Sequence, residues 1–282
     1  MDNFQHCAAL VREADRDRYL AALFAPTEHR DALYALYAFN VEIARVRDLA
    51  REPMPGEIRL QWWREAMSGG RAEEVAANPV AAAVSEMLEC YGLGADRLIA
   101  LIDAHTFDLY DEPMATLTDL EIYGIKTQSA LFGMAADILA GKGRATELAT
   151  LDAGIAYAIA GVLQRFARHA ARRQLYVPLD LLDRYQVDRN ALFAGQVSDA
   201  LRAALGELRA LARKHLAAAQ GKLASAPPEI LPALLPAALV EPTLWRMDRP
   251  DYQPLQFRPL APWRRQWLLL CAARDPSRIF KA

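Results

Sequence analysis

Apolar residues recur along the chain at spacings of three and four, and the alternation that a half-buried strand requires is almost absent, so the pattern predicts helix after helix. The stretch "TLTDLEIYGIKTQSALFGMAADILAGKG" carries this most clearly. Thr118 and Glu121 have the T-x-x-E spacing of a capping box, Gly141 supplies a stop, and Ile122, Ile125, Ser129, Phe132, Ala136 and Leu139 form one stripe between them. A second long helix is predicted from about Thr146 to Arg173, with Leu148, Leu151, Ile155, Val162 and Phe166 on its buried side; the small residues of "AGIAYAIAG" would let neighbours approach closely. A third opens on Ser198 as N-cap. Shorter helices are expected over about 5–24, 27–51, 57–68, 79–91, 95–111 and 262–273, with prolines at most joints. The run "SAPPEILPALLPAALVEPTLW" is punctuated by proline yet strongly apolar, which predicts short broken helices packed on the core rather than a linker. No polar boundary and no fixed-period repeat divides the chain, so one all-α domain over residues 1–282 is expected.

Composition narrows what such a domain does. With 33 Lys+Arg against 35 Asp+Glu the net charge is −2, which leaves no electrostatic footprint for nucleic acid; any anion site is local. Cys7, Cys90 and Cys271 are odd in number, far apart and in no C-x-x-C spacing, which suggests a reducing compartment and neither a disulfide framework nor a zinc site. The start "MDNFQHCAALVREADRD" carries acids where a signal or transit peptide would be basic and apolar, and no apolar run reaches the roughly 18 residues of a spanning helix.

Helices can hold divalent metals through inward carboxylates about one turn apart. Glu13/Asp17, Asp48/Glu52, Asp108/Glu112 and, at spacing three, Asp180/Asp183 fit that pattern, but among 35 acids such pairs arise by chance, and a solvated face is the default reading of each. No metal site follows from spacing. In "AFNVEIARVRD", Glu42, Arg45 and Asp48 stand at successive spacings of three, so Arg45 is expected to neutralise both acids within the helix. The second charged patch is "GVLQRFARHAARRQLYVPLDLL". Arg165, Arg168 and Arg172 share a helical face, His169 and Arg173 flank them, and no acid intervenes between Asp152 and Asp180. Such a face meets solvent, acids of another helix, or an anion such as a diphosphate or lipid headgroup, since guanidinium forks suit phosphate and carboxylate alike. His29, His105 and His215 lack a second ligand at metal spacing, although His105 lies one turn before Asp108 and can orient it. Ser129 has no nucleophile motif around it, and the tryptophans of "LQWWREAM" and "PWRRQWLLL" read as packing anchors.

Taken in order, "DRYLAALFAPTEHRDALYALYAFN", "LQWWREAM", "LTDLEIYGIKTQSALFGMAADILAG", "ARRQLYVPLDLL" and "PWRRQWLLL" resemble the squalene/phytoene synthase family over nearly the whole chain. The resemblance implies the isoprenoid (terpenoid) synthase fold, helices around a central cavity, and in active members head-to-head condensation of prenyl diphosphates with magnesium held by two aspartate-rich motifs. Carried onto this chain, the leading aspartates of the first motif fall on Ala44 and Arg45, leaving Asp48; the second is shortened to the acid-free "QRFARHAARRQLYVP"; and two serines near the start correspond to Asp17 and Ala22. Asp48, Glu42 and Arg45 are then a vestigial motif without catalytic assignment. Arg165, Arg168, His169, Arg172 and Arg173, together with Tyr34 and Gln128 from the resembling blocks, are the candidate ligand-binding residues. These departures resemble the branch of the family that includes the mitochondrial complex I assembly factor 6 and its bacterial relatives. That implies a non-catalytic role in assembling the NADH:ubiquinone oxidoreductase, with an isoprenoid, prenyl diphosphate or lipid as ligand. No cofactor is expected, magnesium entering only if the protein is instead a divergent prenyltransferase. A third alternative fills the cavity with side chains. The expected location is the cytoplasm, with peripheral contact at the inner membrane face.

Overall fold

The computed structural model describes residues 2–50 and 52–280, leaving aside the side chains at 144 and 145. Sixteen α-helices, short 3-10 turns and one π-helical segment make up the described residues, with no strand. In chain order they are α1 (Asn3–Ala14), α2 (Arg16–Ala22), α3 (Thr27–Leu49), α4 (Pro53–Met67), α5 (Ala72–Ala77), α6 (Pro79–Cys90), α7 (Asp96–Thr106), α8 (Leu117–Gly124) and α9 (Ala130–Ala140). Then come α10 (Arg144–Ala171), α11 (Leu179–Arg184), α12 (Arg189–Phe193), α13 (Asp199–Leu223), α14 (Leu231–Leu234), α15 (Val240–Met247) and α16 (Pro262–Arg274). The helix α10 is the hub, packed by α13, α9, α8 and the π segment, while α3 lies against α1, α6 and α9. Phe39, Tyr37, Leu36 and Phe132 are fully buried where α3 meets α9.

Several boundaries differ from the sequence pattern for local reasons. Instead of one helix over 5–24, the chain breaks at Asp15 (φ −137°, ψ 70°), whose carboxylate caps α2 by accepting from the Arg18 amide. No glycine or proline announces that break. Residues 107–109 form a 3-10 turn after α7, which ends the expected 95–111 helix early and turns Asp108 inward. The capping box is Thr116/Asp119, not Thr118/Glu121: Thr116 accepts from the Asp119 amide, and the Asp119 carboxylate accepts from the Thr116 amide. Starting the helix there also lets the Leu117 amide donate to Asp180, tying α8 to α11 and giving Asp180 a structural partner. Gly141 ends α9 with φ 74°, as its position suggested. Ile122 and Ile125, assigned to a buried stripe, are exposed, because the extra residue of the π segment Ile125–Ser129 rotates the stripe on α8 away from that on α9; Leu148, assigned to the buried side of the next helix and lying in the first turns of α10, is exposed as well.

The long helix corrects one exclusion. By length and composition Thr146–Ala171 is long and apolar enough to cross a membrane, but 72% of its most apolar window is buried by neighbouring helices. Burial against neighbouring helices over most of its surface explains so apolar a helix without a bilayer. The proline-rich run 225–245 folds as expected: two 3-10 turns alternate with α14 and α15, and Leu234, Leu235 and Leu244 are buried.

Candidate functional site

A cavity of about 830 Å³ opens between α1–α3, the 3-10 turn after α7, the π segment, α10, α15 and the start of α16. Both charged patches of the sequence line it, through Arg45 and Asp48 from α3 and Arg165, Arg168, His169 and Arg172 from α10. An open cavity sets aside the alternative in which side chains fill it.

Within the wall, Asp48 does not pair with Arg45. Its carboxylate accepts from Arg172 Nη1 at 2.6 Å and lies 3.8 Å from Arg168 Nη1, so two guanidinium groups from the facing helix displace the single neighbour one turn away. Partial burial pushes the Asp48 carboxyl up, but the Arg172 hydrogen bond and the charges of Arg168, Arg172 and Arg165 outweigh that and hold it below its ordinary range. Carboxylate and arginines sit at the C-terminal ends of their helices, where the dipole disfavours the first and favours the others, so the cross-pairing relieves α3. Arg45 and Arg165 have no ion-pair partner among the described residues. The Arg165 guanidinium lies over Gly161, where an added Cβ would approach it to 3.1 Å.

Deeper in the wall are two clusters, of which the spacing along the chain pointed only to the contact between His105 and Asp108. Arg18 is 3% exposed; it donates to Asp15 and to Gln128 Oε1, each at 2.6 Å, and its guanidinium carbon lies 5.0–5.8 Å from the centres of the Tyr157, Tyr37 and Phe132 rings. The break at Asp15 positions the charge, and the π segment turns Gln128 to meet it. The second cluster is centred on Asp108, which bonds to His105 Nδ1 at 2.5 Å and accepts from the hydroxyls of Tyr176 at 2.6 Å and Tyr123 at 3.1 Å. Burial and then the Asp108 charge push both phenols above their ordinary range. His169 stacks on Tyr176 with ring centres 4.3 Å apart. Burial first, then Arg165 and Arg168, lower its pKa to about 4, with Asp108 opposing, so it is neutral at pH 7.

Of the candidate ligand-binding residues, Arg165, Arg168, His169, Arg172 and Gln128 line the cavity, but Tyr34 and Arg173 do not. Tyr34 is buried and stacks on Tyr19; Arg173, beyond the end of α10 at φ 57°, turns over the Phe193 ring. Glu42 also lies outside the wall. His29 bonds to Tyr91, His215 bridges Asp152 and Glu121, and Ser129 donates to the Leu151 carbonyl, all of them structural contacts. Trp63 is a packing anchor, whereas Trp263 and Trp267 are exposed.

Magnesium fits these residues poorly. Of the carboxylates of the wall, Asp15 is bound by Arg18, Asp17 by Arg265, Asp48 by Arg168 and Arg172, and Asp108 by His105 and two tyrosines, which leaves only the exposed Glu13 without a partner among the described residues. Among the described residues no three His, Cys, Asp or Glu side chains are grouped to hold a metal. The wall does carry buried polar atoms without hydrogen-bond partners in the protein: Arg18 Nε, Asn40 Oδ1, Arg47 Nε, His105 Nε2, His169 Nδ1 and Gln174 Nε2. Since a buried polar group is costly unless satisfied, their convergence on one cavity marks it as a place for a polar ligand group or water.

Helices arranged around a polar-walled cavity define the isoprenoid synthase fold: the structure superposes on a dehydrosqualene synthase in complex with ligand with TM-score 0.83 at 17% identity, covering 97% of this chain and 96% of that one. The squalene/phytoene synthase family model matches residues 11–269, and the chain belongs to that family. It is 28% identical over 251 residues to the complex I assembly factor 6 of Rattus norvegicus, covering 89% of this chain and 75% of the relative. It is also 28% identical over 205 residues to the phytoene synthase of Thermus thermophilus, covering 71% and 68%.

Proposed function

We propose that this protein is a non-catalytic member of the squalene/phytoene synthase family that acts in assembly of the NADH:ubiquinone oxidoreductase and keeps its cavity for an anionic isoprenoid or lipid. One observation carries the reading: where the family resemblance puts magnesium-holding carboxylates, the cavity wall has Ala44 and Arg45, and the remaining Asp48 is already held by Arg172 and Arg168. Ionising a prenyl diphosphate requires a Lewis acid on the leaving group, and magnesium is bound by carboxylates together with the substrate phosphates. Arginines can hold a diphosphate through charge-assisted hydrogen bonds without metal, but they leave the departing oxygens less polarised. The assembly partner comes from the rat relative, matched over most of both chains.

Two experiments test this. Deleting the gene in its own host should lower complex I activity in the membranes, and an unchanged level would remove the assembly role. Incubation with farnesyl or geranylgeranyl diphosphate and magnesium should yield no condensed hydrocarbon. Turnover that disappears on Asp48→Ala would favour the second reading, a divergent head-to-head prenyltransferase, which is supported by the equal identity to the Thermus phytoene synthase and by the open cavity.

A further inference from the structure

A second, separate pocket of about 420 Å³ lies beyond the segment 259–266, which is the wall between it and the central cavity. Four arginines line it, Arg246, Arg249, Arg258 and Arg264, against a single carboxylate, Asp251. In a chain whose net charge is −2 this is a local concentration of cations. Arg249 takes up Asp251 at 3.3 Å and lies 5.7 Å over the Trp245 ring, and Arg246 donates to the Pro259 carbonyl at 3.3 Å. Arg258 and Arg264 have no hydrogen-bond or ion-pair partner among the described residues. Tyr252 and Phe257 supply an aromatic wall, and the Tyr252 hydroxyl is buried without a partner.

Next to this pocket α16 presents its tryptophans to the outside. Trp263 and Trp267 are 70% and 57% exposed, one turn apart on the face opposite Arg265, which points inward to Asp17; Trp245 at the pocket rim is 48% exposed. Three exposed indoles are unusual on a water-facing surface, and tryptophan beside arginine is the composition of a helix lying in a membrane interface, where indoles sit at headgroup level and guanidinium groups meet lipid phosphates.

We propose that the pocket formed by Arg246, Arg249, Arg258 and Arg264 binds the phosphate of an anionic phospholipid headgroup, with Trp263 and Trp267 inserted in the surrounding interface. Four arginines around one pocket, Arg249 and Arg258 exposed and Arg246 and Arg264 half-buried, offer several donors to one phosphate, and the tryptophans choose the source: a soluble phosphate compound needs no exposed indoles beside it. The site is distinct from the central cavity and stands whether or not the functional reading above holds.

The test is co-sedimentation of the full chain with phosphatidylcholine vesicles with and without phosphatidylglycerol. Binding is expected only to the anionic vesicles, weakening as salt rises, with a blue shift of tryptophan fluorescence. The double variant Arg258→Gln/Arg264→Gln, at positions that make no hydrogen bond or ion pair among the described residues, should keep its unfolding midpoint and bind roughly 25-fold more weakly, about fivefold for each arginine at an anionic surface. Trp263→Ala should diminish the blue shift and the binding together. Equal binding by the double variant, equal binding to neutral vesicles, or calorimetric binding of inorganic phosphate without vesicle association would each overturn the proposal.

Discussion

Arg18 is a full charge almost without water, and its neighbours explain why it stays charged. Burial alone would lower its pKa, but Asp15, with the surrounding tyrosines, raises it above the ordinary arginine value. Removing one member of a buried pair leaves the other uncompensated, so Arg18→Met should cost about 3 kcal/mol in urea unfolding, and Asp15→Asn added to it should recover part of that loss. A loss below about 1 kcal/mol would mean the pair is not committed to the fold. His169 supplies the pH prediction. Its folded pKa of about 4 lies below the ordinary 6.5. The unfolded chain therefore binds the proton first, and stability is full above pH 6.5 and falls as pH drops from there to about 4. The fall is at most about 3 kcal/mol, and His169→Gln should flatten that part of the stability-against-pH curve relative to the parent. Neither residue's role was legible in the sequence. "EADRDRYL" reads as a solvated charged turn because the break at Asp15 uses a side-chain cap rather than glycine or proline, and His169 is one of several polar residues on a face whose burial depends on Tyr176 reaching back over it.

At the scale of elements, the contact between α10 and the π segment sets the position of Gln128. A Cβ on Gly154 would lie 2.3 Å from the Ser129 Cα and 2.4 Å from its amide nitrogen, both backbone atoms that cannot swing aside. Gly154→Ala should therefore destabilise by about 1–3 kcal/mol, despite alanine's better helix propensity, by forcing α10 and the π segment apart. Gly221→Ala is the contrast: within α13 and with nothing inside 4 Å of an added Cβ, it should stabilise by roughly 0.5–1 kcal/mol. Thermal or chemical unfolding of both variants checks the opposite signs. The sequence disclosed half of this contact. Small residues in "AGIAYAIAG" announced that a helix approaches closely, whereas the π segment left no mark, because one extra residue per turn changes the phase of "YGIKTQSALF" without changing its composition. Reading across that phase shift is what put Ile122 and Ile125 on the buried stripe.

Across the whole molecule the ordered blocks carried the fold and the cavity, but not which charges meet inside it. Pairing within one helix can be counted along the sequence; pairing between Asp48 and Arg172, 124 residues apart, depends on how α3 and α10 converge on one mouth. Asp48 is an internal anion that occupies Arg168 and Arg172, so on the proposed reading an incoming anionic group would compete with it. The two functional readings then predict opposite signs for one substitution. If the cavity binds anions through arginine alone, Asp48→Asn releases both guanidinium groups and tightens binding of farnesyl diphosphate measured by calorimetry in EDTA. The gain is no more than about fivefold, since the pair is half exposed and water already screens it. If magnesium held by Asp48 anchors the diphosphate, the same substitution weakens binding in magnesium and leaves no tighter binding in EDTA. Measuring parent and variant with and without magnesium gives four affinities, and the sign of the change in EDTA decides between an arginine site that uses Asp48 as a counterion and a metal site that uses it as a ligand.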